Sequence, residues 1–102
     1  MKLGEQLSRA SNLIVDLIEA TNDIDQKKKL RNYLTIILDI SGKLVDEIIN
    51  SDTEKYKQAN NAFEEANGKI EEAIEDIKKV AETINKIAKA IDLAAKVADT
   101  AA

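Results

Sequence analysis

A seven-residue repeat covers residues 56–101. Tyr56, Phe63, Ile70, Ile77, Ile84, Ile91 and Ala98 fall at one position of the heptad, a. Ala59, Ala66, Ala73, Val80, Ile87, Ala94 and Ala101 fall three residues later, at d, and no charged residue enters either series. A sustained apolar a/d repeat predicts helix packed by its seam against other helices. The repeat passes from Phe63 to Ile70 without a slip, so the expectation is one long helix over about 53–101. Asn67-Gly68 is its one weak point, because that pair elsewhere marks a turn. A turn there would make four helices instead of three. Gly68 falls at f, opposite the seam, where a missing side chain harms no packing.

Two shorter helices precede it. Leu3, Leu7, Ala10, Ile14, Leu17 and Ile18 recur every three or four residues, an amphipathic helix over about 3–20. Thr21-Asn22-Asp23 breaks the pattern, since short polar side chains compete with the backbone for hydrogen bonds. Asp23 with Gln26 has capping-box spacing. The second helix is expected over about 25–50, with a seam of Leu30, Tyr33, Leu34, Ile37, Ile40, Leu44, Val45, Ile48 and Ile49. Ile36-Ile37-Leu38 widens that seam and predicts a central helix covered on more than one side. Gly42 inside it predicts a close helix crossing or a mild bend. Ser51 and Glu54 have capping-box spacing before the third helix, and the short connection predicts an antiparallel hairpin.

The expected fold is therefore all-α: a single domain over 1–102, built as an antiparallel helical hairpin or bundle of three helices, the third very long, and self-associating. The absence of Pro and the Ala, Ile, Lys and Glu content agree with that class.

Composition removes several functions. The chain has no His and no Cys, so the commonest general base and the strongest nucleophile are missing. No catalytic residues, no cofactor and no metal site are assigned, and the chain reads as a non-enzyme. Glu64, Glu65, Glu71, Glu72, Glu75 and Asp76 form an acidic group, but they fall mostly at outward positions and read as a solvated face. Exposed acid-base pairs four residues apart, such as Glu65 with Lys69 and Glu82 with Lys86, support helix. A net charge of -4 argues against nucleic acid, which needs a cationic footprint. Lys27-Lys28-Lys29 with Arg31 reads as a solvated first turn of helix. The charged N-terminal residues lack the apolar region of a signal peptide, so a cytoplasmic protein is expected.

A mismatch of lengths carries the functional reading. At 1.5 Å per residue the third helix would be roughly 70 Å long, against about 40 Å and about 27 Å for the others. The second helix would leave residues 78–102 uncovered. Here the apolar surface widens, with Ala81, Ala88 and Ala95 at e and Ala90 and Val97 at g. Such a surface should not stay wet. The candidate partner-binding residues are Ile84, Ile87, Ala88, Ile91, Ala94, Ala95 and Ala98. They would meet a second copy or a partner protein, unless the chain folds over its own stripe. The function expected is a helical protein-protein interaction module, of the kind used by small bacterial adaptors, chaperones, immunity proteins and inhibitors.

Residues 77–102 resemble the Ile/Ala-rich helices of bacterial chemoreceptor signalling bundles. The resemblance covers a quarter of the chain and lacks that family's polar hairpin tip, so it implies packing style and no activity. The hairpin outline is similar to that of small secreted helical-hairpin proteins, without their Trp-x-Gly turn.

The alternative is a membrane-active amphipathic component, since Lys78, Lys79, Lys86, Lys89 and Lys96 border the same stripe. On that reading the protein floats with anionic vesicles in a density gradient. Absence of co-flotation removes the idea.

Overall fold

The computed structural model describes residues 2–44 and 53–101, with side chains as far as Asp99. Every regular element among them is helical. Four helices pack together: α1 over Leu3–Ala20, α2 over Ile24–Lys43, α3 over Glu54–Glu75 and α4 over Val80–Ala101, with a 3-10 turn at Ile77–Lys79 leading into α4. Together they measure 40 × 20 × 17 Å.

The boundaries follow from local chemistry. The first turn of α1 is secured from outside the helix, because the Leu3 N–H donates to the Tyr56 hydroxyl at 2.9 Å. That bond satisfies one of the donors a helix start leaves over. At the other end the Thr21 N–H donates to the Leu17 carbonyl, and the Thr21 hydroxyl donates to the same oxygen at 2.6 Å. The chain turns at once, and Asp23 caps α2 by accepting from the Gln26 N–H at 2.9 Å. The Thr53 hydroxyl accepts from the Tyr56 N–H at 3.4 Å and starts α3. The expected Ser51 cap and the seam residues Val45, Ile48 and Ile49 lie outside the described residues. The second helix, expected to reach 50, ends at Lys43, where Leu44 takes an extended conformation.

The expected long helix over 53–101 is divided, and not at Asn67-Gly68. α3 runs through that pair unbroken. The break is at Asp76, with φ -137° and ψ 96°. Its N–H still closes α3 on the Glu72 carbonyl at 2.9 Å, and its carboxylate accepts from the Lys78 N–H at 3.2 Å. A short acidic side chain of this kind offers the backbone an alternative to the helix ladder. Ile77, at a in the repeat, is exposed as a result. The heptad phase survives because it describes a stripe. Two helices folded face to face carry the same stripe as one straight helix.

Side-chain pairs show how the helices run. Gln6 meets Asn67 and Arg9 meets Glu71, so α1 and α3 ascend together. Glu65 meets Lys86 at 3.0 Å, while the Thr83 hydroxyl donates to the Lys69 carbonyl at 3.3 Å. α4 therefore returns along α3. α1 packs on α2 and α3, and α4 packs on the same two. Phe63 and Ile70 sit in the core with Leu7, Ile14 and Leu17 of α1, Leu30 and Ile37 of α2, and Ile87 of α4. The small Ala59, Ala66 and Ala73 of α3 are also fully buried, where they let backbones approach.

The close crossing expected at Gly42 is absent among the described residues, since a Cβ there would meet nothing within 4 Å. The same holds at Gly68, which is exposed and has ordinary negative φ. Gly68→Ala is therefore expected to stabilise the protein by up to about 1 kcal/mol, the helix-interior difference between the two residues. A urea titration checks this, and an unchanged or lower midpoint would contradict an unstrained helical glycine.

Candidate partner-binding surface

The residues expected to meet a partner are brought together on α4, but they face inward. Ile84, Ile87, Ile91, Ala94 and Ala98 belong to the core, and Ala88 and Ala95 are half-buried beside it. What covers them is the chain itself. The break at Asp76 lays α4 along α3, and α2 closes over it from the other side. A stripe that would be wet on a protruding helix is thus removed from water without a second molecule, so these seven residues are not an open face. The lysine-bordered stripe expected for a lipid surface turns inward for the same reason.

The acidic group is exposed, as a solvated face should be, and three of its members also form ion pairs. Glu65 pairs with Lys86 of α4 at 3.0 Å, Glu71 pairs with Arg9 of α1, and Glu72 lies 3.7 Å from Lys69 and 3.9 Å from Lys79. Glu65 and Glu71 thus tie α3 to α4 and α1, where spacing along one helix had pointed to pairs such as Glu82 with Lys86. The hydrogen bond and charge of Lys86 hold the Glu65 carboxyl below the usual carboxylate range, against an opposing effect of desolvation, with Lys89 and Lys69 adding to the lowering. A lowered value means the pair supports folding above the unfolded-state pKa and loses that support as pH falls through the folded one. Being exposed, the pair contributes little in either case. Among the described residues no group of three His, Cys, Asp or Glu could hold a metal ion. An open groove of about 330 Å³ between α3 and α4 is lined by Gln58, Ala62, Glu65, Lys86, Lys89 and Leu93. The Glu65–Lys86 bridge crosses it, and it gathers no convergent set of reactive groups.

The open apolar surface lies elsewhere. The large hydrophobic side chains that stand in water include Ile24, 70% exposed, and Leu38, 56% exposed, both on α2. They lie fourteen residues apart with Arg31 midway, so all three share one side of the helix. Leu34 lies half-buried along the same flank, and Tyr33 and Ile36 are half-buried on the other. The apolar run Ile36-Ile37-Leu38 pointed to a central helix. α2 packs on both α1 and α4, yet among the described residues Leu38 stays outside that cover.

Sequence reasoning missed one feature altogether. Gln6 and Asn67 are buried polar residues joined across α1 and α3. The Asn67 amide donates to the Gln6 side-chain oxygen at 3.0 Å and to the Gln6 carbonyl at 3.2 Å. Asn67 Oδ1 has no partner. No periodicity distinguishes such a residue from a solvated one, because the pairing partner lies on another helix.

Ile91→Asp is expected to place an unpaired charge in the core and to cost more than about 3 kcal/mol. Circular dichroism should show loss of helix or a sharply lowered melting temperature. A variant with wild-type helix and stability would mean that α4 is open after all. No known protein family matches the chain, and comparison with characterised proteins and solved structures finds no match.

Proposed function

We propose that the chain is a non-enzymatic cytoplasmic protein-binding bundle, a single domain acting as a helical interaction module in the manner of a small adaptor, chaperone, immunity protein or inhibitor. The observation that carries this reading is the Ile24–Arg31–Leu38 side of α2, where two large apolar side chains stand in water on either side of a cation. The Ile/Ala stripe of α4 supplies the core and is no longer the contact surface.

The partner is a second protein carrying a helix with apolar side chains opposite Ile24 and Leu38 and a carboxylate opposite Arg31. Apolar anchors buried beside a paired Arg are the usual source of binding energy at such surfaces. A second copy fits less well. Two α2 helices pairing antiparallel about the middle of this stripe would set Arg31 against Arg31, and juxtaposed like charges cost several kcal/mol by about the amounts seen at mismatched interfaces.

Leu38→Glu and Arg31→Glu separate binding from folding, because both residues are exposed. Affinity capture from the source organism should recover one protein with the wild type and lose it with each variant, while helical signal and melting temperature stay unchanged. Equal recovery with all three, or none with the wild type, removes this surface as the binding site. Light scattering on the same samples reads self-association: a dimer abolished by Leu38→Glu would make a second copy the occupant.

A further inference from the structure

The buried Gln6–Asn67 pair has a chemical consequence, because the residue after Asn67 is Gly68. An asparagine followed by glycine is the arrangement in which the next backbone nitrogen most easily reaches the side-chain amide carbon, since glycine has no side chain to obstruct it. We propose that Asn67 is a latent deamidation site, silenced by folding, whose conversion on an opened chain prevents the α1–α3 contact from forming again.

The reaction needs only water. The Gly68 backbone nitrogen gives up its proton and attacks Asn67 Cγ. The new N–Cγ bond forms, the Cγ–Nδ2 bond breaks, and the amide nitrogen leaves with that proton as ammonia. Water then opens the five-membered imide at either carbonyl, leaving an aspartyl or an isoaspartyl residue.

In the folded protein three features oppose the reaction, two at the first step and one at the second. Gly68 lies within α3, so its N–H belongs to the helix ladder and helical dihedrals hold the nitrogen away from Cγ. The leaving amide is held by two hydrogen bonds to Gln6. Asn67 is fully buried, which keeps out the water that completes the reaction. A chain whose α3 has opened has none of these protections.

The product cannot resume the same place. A carboxylate at residue 67 replaces the donor that faced two Gln6 oxygens with an acceptor, and brings a charge into a buried contact. Rotating the Gln6 side-chain amide would supply one donor, but the Gln6 main-chain carbonyl would still face the carboxylate. The isoaspartyl product adds a carbon to the main chain in the middle of α3 and breaks its ladder. Opening and chemistry together make a one-way step, so the fraction converted records how often this part of the bundle has opened.

The test incubates the full-length protein at mildly alkaline pH, folded and in urea, and follows the amide-to-acid mass change at residue 67 by peptide mapping. Conversion in urea should exceed that in the folded state by more than about tenfold, as expected when reaction requires local opening. It should also outpace the chain's other asparagines, and Gly68→Ala should slow it by about tenfold or more by restoring a side chain at the attacking residue. Asn67→Asp tests the consequence directly: it should fail to fold or unfold at a clearly lower urea concentration than the wild type. Equal rates in the folded and urea-unfolded states, or an Asn67→Asp variant with the wild-type urea midpoint, would overturn the proposal.

Discussion

The burial of α4 against α3 is the contact on which the other packing depends. Every d position of α3 and α4 from Ala59 to Ala94 is buried, and the a positions are too, except Ile77 at the break. Without this contact, the apolar half of α4 would extend into water along about 30 Å of helix. Folding back gives up a turn of helical hydrogen bonds near Asp76 and gains a continuous dry interface. The capping interactions of the Asp76 carboxylate and main chain recover part of what the break loses. The small side chains of α3 suit this arrangement, because alanines at d let another helix come close enough for Phe63 and Ile70 to fill the centre.

A few polar contacts, buried at Tyr56 and Asn67 and exposed at Arg9, set how α1 lies on α3. The Tyr56 hydroxyl receives the first N–H of α1, Asn67 donates to Gln6, and Arg9 reaches Glu71. Apolar seams alone tolerate a shift along the helix axis, since one leucine resembles the next. A buried amide facing two specific oxygens does not, because any slip leaves them unpaired. These bonds therefore act on alignment more than on total stability, in the manner of polar residues that specify register in coiled coils. The unpartnered Asn67 Oδ1 is the local cost of placing such a group in the core.

The outside of the bundle is not uniform. Two of the carboxylates of α3, Glu65 and Glu71, bridge to α4 and α1, and the acidic face as a whole stays exposed. α2 stands apart. Ile36-Ile37-Leu38 widens its apolar arc, and among the described residues it packs on α1 and α4. Ile24 and Leu38 remain in water.

Most residues that would be buried were legible in the chain, because periodicity reports a face: Leu3, Leu7, Ala10, Ile14 and Leu17 on α1, Leu30, Ile37 and Ile40 on α2, and the a and d series on α3 and α4 lie in the core apart from Ile77 and the residues past Asp99, while Ile18, Tyr33 and Leu34 are half-buried. Helical character and the Asp23 cap were legible for the same local reason. What the repeat could not convey was which stripe meets which. A heptad pattern is satisfied equally by a long helix awaiting a partner and by two helices folded on each other, and one aspartate at residue 76 separates the two outcomes only when the energy of covering α4 is counted. The pairing of Gln6 with Asn67, the bridge from Glu65 to Lys86 and the exposure of Leu38 likewise depend on neighbours distant in sequence. Local patterning determined the helices and their dry sides; tertiary packing decided that the chain would serve as its own partner, because burial is a property of what lies opposite.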